Sequence, residues 1–496
     1  MTLDTLVELA GFSVADHGNA TVTGLAIDHR KVAPGNVFGA FQGAVVNGED
    51  FIPAAVAAGA VAVVARPEVR VSGAAHIADA EPRRAFAQIA APFFAPFPDT
   101  IVAVTGTNGK TSTVEMTRQI WRMAGNSAAS IGTLGVTTPD GSASTGLTSP
   151  DIVTFLSNMS GLAREGVSHV AYEASSHGLS QYRTEGPGVA AGAFTNLSRD
   201  HLDYHGTMEN YLAAKLRLFD EVIARDGAGV VWMDDPASHR VCEHVRGGGL
   251  RMFTVGEQAL DDQWGVRLLA HNISRLGQDL ELGWQGERVK VALPLIGAYQ
   301  VANALVAVGL VLATGGDPRG TFDALSRLQP VPGRLERAAI TRSGAPVYVD
   351  YAHTPDALDA ALAALRPHAK GKIIAVVGAG GDRDTGKRGP MGAAAARGAE
   401  LVIVTDDNPR GEDPGLIRAA VLDGARSVHA NCREVADRRE AIALAIAAGG
   451  EGDIVLIAGK GHEEGQIIGR GAEARVLPLN DVTVARECAG APSGEA

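Results

Sequence analysis

The sequence predicts an α/β protein of three domains, with a central parallel-sheet domain of P-loop type and a Rossmann-like C-terminal domain. Three observations carry that expectation. The chain has 496 residues, and at roughly 150 residues per domain it is long enough for about three cores. Proline-rich stretches at Pro92 to Pro98 and Gln329 to Gly333 interrupt it, giving pieces 1–95, 96–330 and 331–496. In the second and third pieces, short apolar runs alternate with helical stretches, as expected of parallel strands joined by helices on both sheet faces.

The strand candidates end on polar residues. In the central piece Ile101 to Val104 leads into Thr105 to Thr111, and Val170 to Tyr172 ends at Glu173. In the last piece, Pro346 to Val349 ends at Asp350 and Ile373 to Val377 at a glycine cluster. Leu401 to Val404 ends at Asp406 to Arg410, and Ile454 to Ile457 at Gly459 to Glu463. Open parallel sheets bind ligands beyond the carboxyl ends of their strands, so both pieces are expected to present a binding edge.

Composition narrows the function classes. With 56 acids against 44 bases the net charge is −12, which disfavours a broad surface for nucleic acid or anionic membrane. Cys242, Cys432 and Cys488 are too few and too scattered for a disulfide framework or a metal knuckle, and no Lys or Arg precedes Arg30 as a secretory signal would require. A cytoplasmic protein is expected. Val291 to Gly316 is uncharged and long enough to cross a bilayer, but Pro294, Gly297, Gln300 and Asn303 interrupt it and its second half reads as a buried helix. Ala489 to Ala496 reads as a disordered tail.

Gly106, Thr107, Asn108, Gly109, Lys110 and Thr111 lie between a strand and a helical run, Ser112 to Met123. Glycines let backbone N–H groups converge on phosphate, Lys110 supplies a point charge, and the Thr111 hydroxyl suits Mg²⁺. The first glycine of the strict pattern is Val104 here, and the plain alternative is a glycine turn before a helix. Glu173 ends the next strand, as metal-holding acids do, or simply caps a helix. Asn196 to His205 gathers two histidines and two aspartates without the cysteines structural zinc prefers. Lys215 falls on the apolar stripe of a helical stretch from Met208 to Val222. A buried lysine loses its proton readily and can take up CO₂ as a metal-binding carbamate; the plain alternative is a snorkelling side chain.

Taken together, the motifs resemble the Mur ligase family of ATP-dependent enzymes that extend the peptide of peptidoglycan precursors. The likeness runs through Thr105 to Thr111, Tyr172 to Gly178, Thr195 to His205, Lys215, Asn303, Gly333 to Glu336, Asp350 to Asp356 and Gly459 to Glu463. Ser175 to Arg183 and Asp350 to Asp356 point to the branch that adds the third peptide residue. The resemblance implies that Lys110 and Thr111 meet the ATP phosphates, that Thr111, Glu173, His201 and carbamylated Lys215 hold Mg²⁺, and that Asn303, Arg334 and Asp350 meet adenine, phosphate and ribose, with His353 close to the reaction. It places UDP-N-acetylmuramoyl-L-alanyl-D-glutamate on Thr148, Ser149, Ser175, Gln181 and Arg183, with the uridine end near Arg30 in the first domain. His29 stands where the family commonly has serine.

The resemblance also addresses the incoming amino acid. Asp407, Asn408, Pro409 and Arg410 form the Asp-Asn-Pro-Arg motif of ligases that add meso-2,6-diaminopimelate, whereas lysine-adding relatives lack the arginine. A guanidinium offers paired donors to the distal carboxylate that distinguishes diaminopimelate from lysine. Arg383 is a second clamp candidate, and Gly459 and Glu463 suit the distal ammonium. The expected reaction runs through an acyl phosphate, with closure about Gln329 to Gly333 and a monomeric enzyme. A lysine- or dipeptide-adding relative, and a nucleotide-dependent switch without ligase activity, are the alternatives.

Overall fold

The alternation of apolar runs and helices resolves into three large sheets and a two-stranded one in the computed structural model, which describes residues 1–12, 20–43, 46–143, 148–260, 264–274 and 277–490. Strands Gly24–Ala26, Asn36–Gly39, Ala62–Ala65 and Ala75–Ala78 pair in sequence order as a parallel sheet. The central sheet has Thr100–Thr105 in its interior, parallel to Val189–Phe194 on one side and His169–Glu173 on the other. In the third sheet, Pro346–Asp350, Ile454–Ala458, Ile373–Val377, Leu401–Val404 and Cys432–Glu434 run parallel, with Glu336–Ile340 antiparallel at one edge. A hairpin of Gly465–Ile468 and Arg475–Pro478 follows.

Burial explains the order. Thr100–Thr105 and its parallel neighbours are apolar on both faces because both faces are covered. One face shares a continuous core with the first sheet, from Leu3 through Phe86 to Phe155 and Val231. The other packs under Lys110–Met123 and Ala298–Ala313. The uncharged stretch from Val291 to Gly316 therefore divides between the end of strand Glu287–Leu293 and this interior helix. No helix among the described residues is long and apolar enough to cross a membrane.

Two further expectations are corrected. The helical stretch beginning at Met208 is α-helical only to Arg217; Leu218–Val222 is a wider π turn that delivers the chain into strand Ile223–Trp232. At the other end, Ala489 closes helix Asp481–Ala489, capped by left-handed Gly490, and 491–496 lie outside the described residues.

Candidate functional site

The carboxyl ends of the central and C-terminal sheets face one another across a cavity of about 250 Å³. Its central-domain wall is the turn between Thr100–Thr105 and Lys110–Met123. That turn depends on two glycines. Gly106 and Gly109 have φ of +146° and +85°, and a Cβ at Gly109 would sit 2.2 Å from Asn303 Oδ1. Asn108 N–H donates to Asn196 Oδ1 at 2.8 Å, and Thr195 Oγ1 donates to the Asn108 carbonyl at 2.6 Å, so the Asn196 segment splints the loop. Lys110 Nζ is folded back onto the Gly106 and Thr107 carbonyls at 2.9 and 2.7 Å.

Thr111 opens the helix beside Glu173. Its Oγ1 donates to Glu173 Oε1 at 2.9 Å, and the same carboxylate accepts the Thr133 N–H at 2.7 Å. Hydroxyl and carboxylate oxygens of this kind suit Mg²⁺, whose remaining positions water and phosphate oxygens fill. Among the described residues no group of three or more His, Cys, Asp or Glu side chains is arranged to hold a metal ion. A fit to Mg²⁺ therefore rests on the Thr111 and Glu173 oxygens, on substrate oxygens, and on whatever Lys215 can supply.

Lys215 is only 1% exposed. Its Nζ donates to the Gly106 carbonyl at 2.7 Å, the acceptor that Lys110 also uses, and lies 4.1 Å from the Tyr211 ring centre. Burial, reinforced by the charge of Lys110, holds this amine well below the ordinary lysine range. The uncharged amine, which this shift favours, is the form that reacts with CO₂. His201 lines the same cavity in a left-handed conformation at φ +54°. Burial lowers its imidazole to about 3.

Asp200, not singled out by sequence reasoning, joins the two domains. One carboxylate oxygen is 3.4 Å from Lys387 Nζ, and the other is 3.8 Å from His353 Nε2 and 3.5 Å from His201 Nε2. Burial raises its carboxyl, but His353, Lys387 and His201 around it, with the His201 N–H, outweigh burial and hold it well below the usual range. A parallel contact pairs Arg199 with Asp384 at 3.3 Å. Another bridge runs from the C-terminal domain: His462 Nε2–H donates to the carbonyl of Thr133 at 3.1 Å, the residue whose N–H supports the Glu173 carboxylate.

Asn303, Arg334, Asp350 and His353 line a second, adjoining cavity of about 510 Å³ with Tyr299 and Trp232. Arg334 spans the two cavities: Nη2 donates to Thr111 Oγ1 at 2.8 Å while the guanidinium lies over Tyr351. Asp350 accepts the Leu335 and Ala352 N–H groups at 2.6 and 2.8 Å, and burial raises its carboxyl to about 6.

The C-terminal wall is made by Arg383, Asp407, Asn408, Arg410, Gly459 and Glu463. Pro409 shapes the turn without lining the cavity. Buried Lys460 Nζ donates to Glu463 Oε2 at 2.7 Å and Asn408 Oδ1 at 3.0 Å, fixing both side chains. Arg410 adopts φ +50° and Asp382, preceding Arg383, φ +55°. Such backbone persists in non-glycine residues only where the surroundings enforce it.

The expected substrate residues divide. Thr148 and Ser175 line the first cavity. Ser149 Oγ accepts from Ser175 at 2.9 Å, and Arg183 donates to both Gln181 and the Ser149 carbonyl, placing these residues at its margin. Arg30 lies apart, in a pocket of the first domain with Phe41, Phe51 and Arg83. It pairs with Asp28 at 2.8 Å, while His29 stacks flat on Phe51 with ring centres 4.2 Å apart.

Comparison with known proteins agrees along the whole chain. Residues 21–94 match the catalytic-domain model of the Mur ligase family, 104–311 its middle domain, and 333–461 its glutamate ligase domain. A UDP-N-acetylmuramoyl-L-alanyl-D-glutamate--2,6-diaminopimelate ligase of Zymomonas mobilis is 61% identical over 94% of each chain. One of Bradyrhizobium diazoefficiens is 50% identical over 93% of each. A solved structure of an enzyme of that name superposes with TM-score 0.70 at 32% identity, covering 99% of both chains. Mycobacterium tuberculosis folylpolyglutamate synthase, at 20% identity and TM-score 0.61, shares the fold over 80% of this chain. Phosphate loop, facing sheets and near-complete likeness to these relatives lead to one conclusion: the chain belongs to the Mur ligase family.

Proposed function

We propose that this protein joins meso-2,6-diaminopimelate to UDP-N-acetylmuramoyl-L-alanyl-D-glutamate at the expense of ATP, extending a peptidoglycan precursor in the cytoplasm as a monomer. The observation that carries the proposal is one cavity shared by Lys110, Lys215 and Glu173 of the central domain and Arg383 and Arg410 of the C-terminal domain. Phosphate and amino-acid chemistry thereby share one space. Piece 1–95 holds uridine near Arg30, 96–330 carries ATP, and 331–496 carries diaminopimelate.

The D-glutamate side-chain carboxylate attacks the γ-phosphorus of ATP, breaking its bond to the bridging oxygen and releasing ADP. The diaminopimelate amine then attacks the acyl phosphate carbonyl, loses a proton, and expels inorganic phosphate as the amide forms. Lys110 leaves its carbonyl contacts to meet phosphate oxygens, and Arg334 approaches them from the adenosine side. Asn303 and Asp350 orient the nucleoside. Thr111 and Glu173 would hold Mg²⁺, with His201 and Lys215, as its carbamate, beside them. Magnesium, when bound, neutralises phosphate charge. Asp200 holds His353 and Lys387 in place, so that closing the domains brings amine and acyl phosphate together.

The test is the dependence of ADP release on the other substrates. ADP and phosphate are expected in equal amounts, and only when nucleotide-sugar dipeptide and diaminopimelate are both present. ATP hydrolysis independent of both would identify a switch instead.

A further inference from the structure

Arg410 is well placed in the cavity, yet its own turn does not explain why. A left-handed backbone at φ +50° is unfavourable for arginine, and Asp407 to Gly411 contains no helix or strand that would impose it. The support comes from about sixty residues downstream. Arg410 N–H donates to the Ile467 carbonyl at 3.0 Å, and Gly469 N–H donates to the Arg410 carbonyl at 2.7 Å, so the turn pairs with Ile468 like a short parallel strand. Gln466 Nε2 donates to the Asp407 carbonyl at 2.7 Å, and Ile467 N–H to Asn408 Oδ1 at 2.9 Å. Arg470 Nε then donates to Asp382 Oδ2 at 2.8 Å, and the same oxygen accepts the Gly411 N–H at 3.2 Å. One segment thus secures both left-handed residues, Arg410 and Asp382, which set the two arginines expected to clamp the amino acid.

The geometry points to the hairpin strand Gly465–Ile468 and its continuation to Arg470 as a specificity-positioning element. It holds the Asp407 to Gly411 turn so that the Arg410 guanidinium faces the distal end of the incoming amino acid. The inference rests on the proposed diaminopimelate ligase activity. Gln466 and Arg470 do not line the cavity. They select the amino acid through the two loops they brace. The guanidinium makes its paired contact only with a ligand that carries a distal carboxylate, so loosening the brace affects diaminopimelate and spares lysine.

The test compares kcat/KM for diaminopimelate and L-lysine in wild type, Arg470→Ala, Gln466→Ala and the double variant. In the double variant, KM for diaminopimelate is expected to rise about fivefold to tenfold, and its advantage over lysine to fall by the same factor. KM for ATP and the nucleotide-sugar dipeptide stays at the wild-type value, and Arg470→Lys restores part of the loss. Hydrogen exchange at the Arg410 and Gly469 amides should quicken in the double variant. An unchanged ratio with faster exchange overturns the inference, as does an equal loss for all substrates. A wild-type enzyme that forms no product with diaminopimelate overturns the proposed activity itself; a wild-type preference that survives in the double variant overturns only the role of the hairpin.

Discussion

The phosphate loop and the Asp407 to Gly411 turn each carry a basic side chain into the same cavity, but they are built in opposite ways. The phosphate loop takes its turn from within: Gly106 and Gly109 adopt the conformations other residues resist, and the helix starting at Lys110 and the Asn196 splint hold the rest. The Arg410 turn is shaped from outside, forced into a left-handed conformation by a strand distant in sequence. Features built from local residues tolerate little substitution within them. Features built by remote bracing can be loosened without touching the cavity.

The largest expected effect breaks the local side. Lys110→Ala should lower kcat by about a hundredfold to a thousandfold, the range for removing one preorganised charge partner, with the melting temperature near wild type. Steady-state kinetics beside a thermal scan checks it. Next, Lys215→Ala should lower turnover by about a hundredfold, and short carboxylates should restore part of it if a missing carbamate is the cause. Wild-type turnover in Lys215→Ala removes that role.

The remote side should respond more selectively. Arg410→Ala is expected to reduce kcat/KM for diaminopimelate by about tenfold to a hundredfold while changing lysine little. His462 tests the contact between domains: His462→Gln keeps a donor for the Thr133 carbonyl, whereas His462→Phe keeps only a ring. The Phe variant should lose about tenfold in kcat and the Gln variant much less, and the reverse order would make His462 a packing residue.

The smallest effect is on stability. Burial, with the charge of Arg334, holds His462 at about 4, and burial with His177 holds His205 at about 4. Both lie below the free imidazole value of about 6.5. The unfolded chain therefore binds protons first as pH falls, so the stability from keeping these rings neutral is complete above pH ~6.5 and is lost towards pH ~4. Thermal scans across that window should show a falling melting temperature, and His205→Gln should flatten the fall.

What could be read from sequence follows the same division. Thr105 to Thr111, the strand-end acids and the burial of Lys215 were legible because each depends on residues a few positions apart. The convergence of Asp200 with Lys387 and His353, and the bond from His462 to Thr133, were not, since each joins segments more than 150 residues apart. The π turn at Leu218–Val222 was missed because its apolar stripe continues that of the helix. The left-handed φ of Arg410 leaves no local mark, because arginine is not a residue that favours that conformation; Asp382 is of a type that visits it, but nothing in its neighbourhood distinguishes it from the other aspartates.

Selection of diaminopimelate over lysine is what this cavity is built to achieve on the proposed reading. Mass analysis of the nucleotide product, after supplying UDP-N-acetylmuramoyl-L-alanyl-D-glutamate, ATP and Mg²⁺ with diaminopimelate and L-lysine together, tests it most directly. The expected product is heavier by one diaminopimelate residue, with almost none carrying lysine. A lysine adduct in equal or greater amount would contradict that selection.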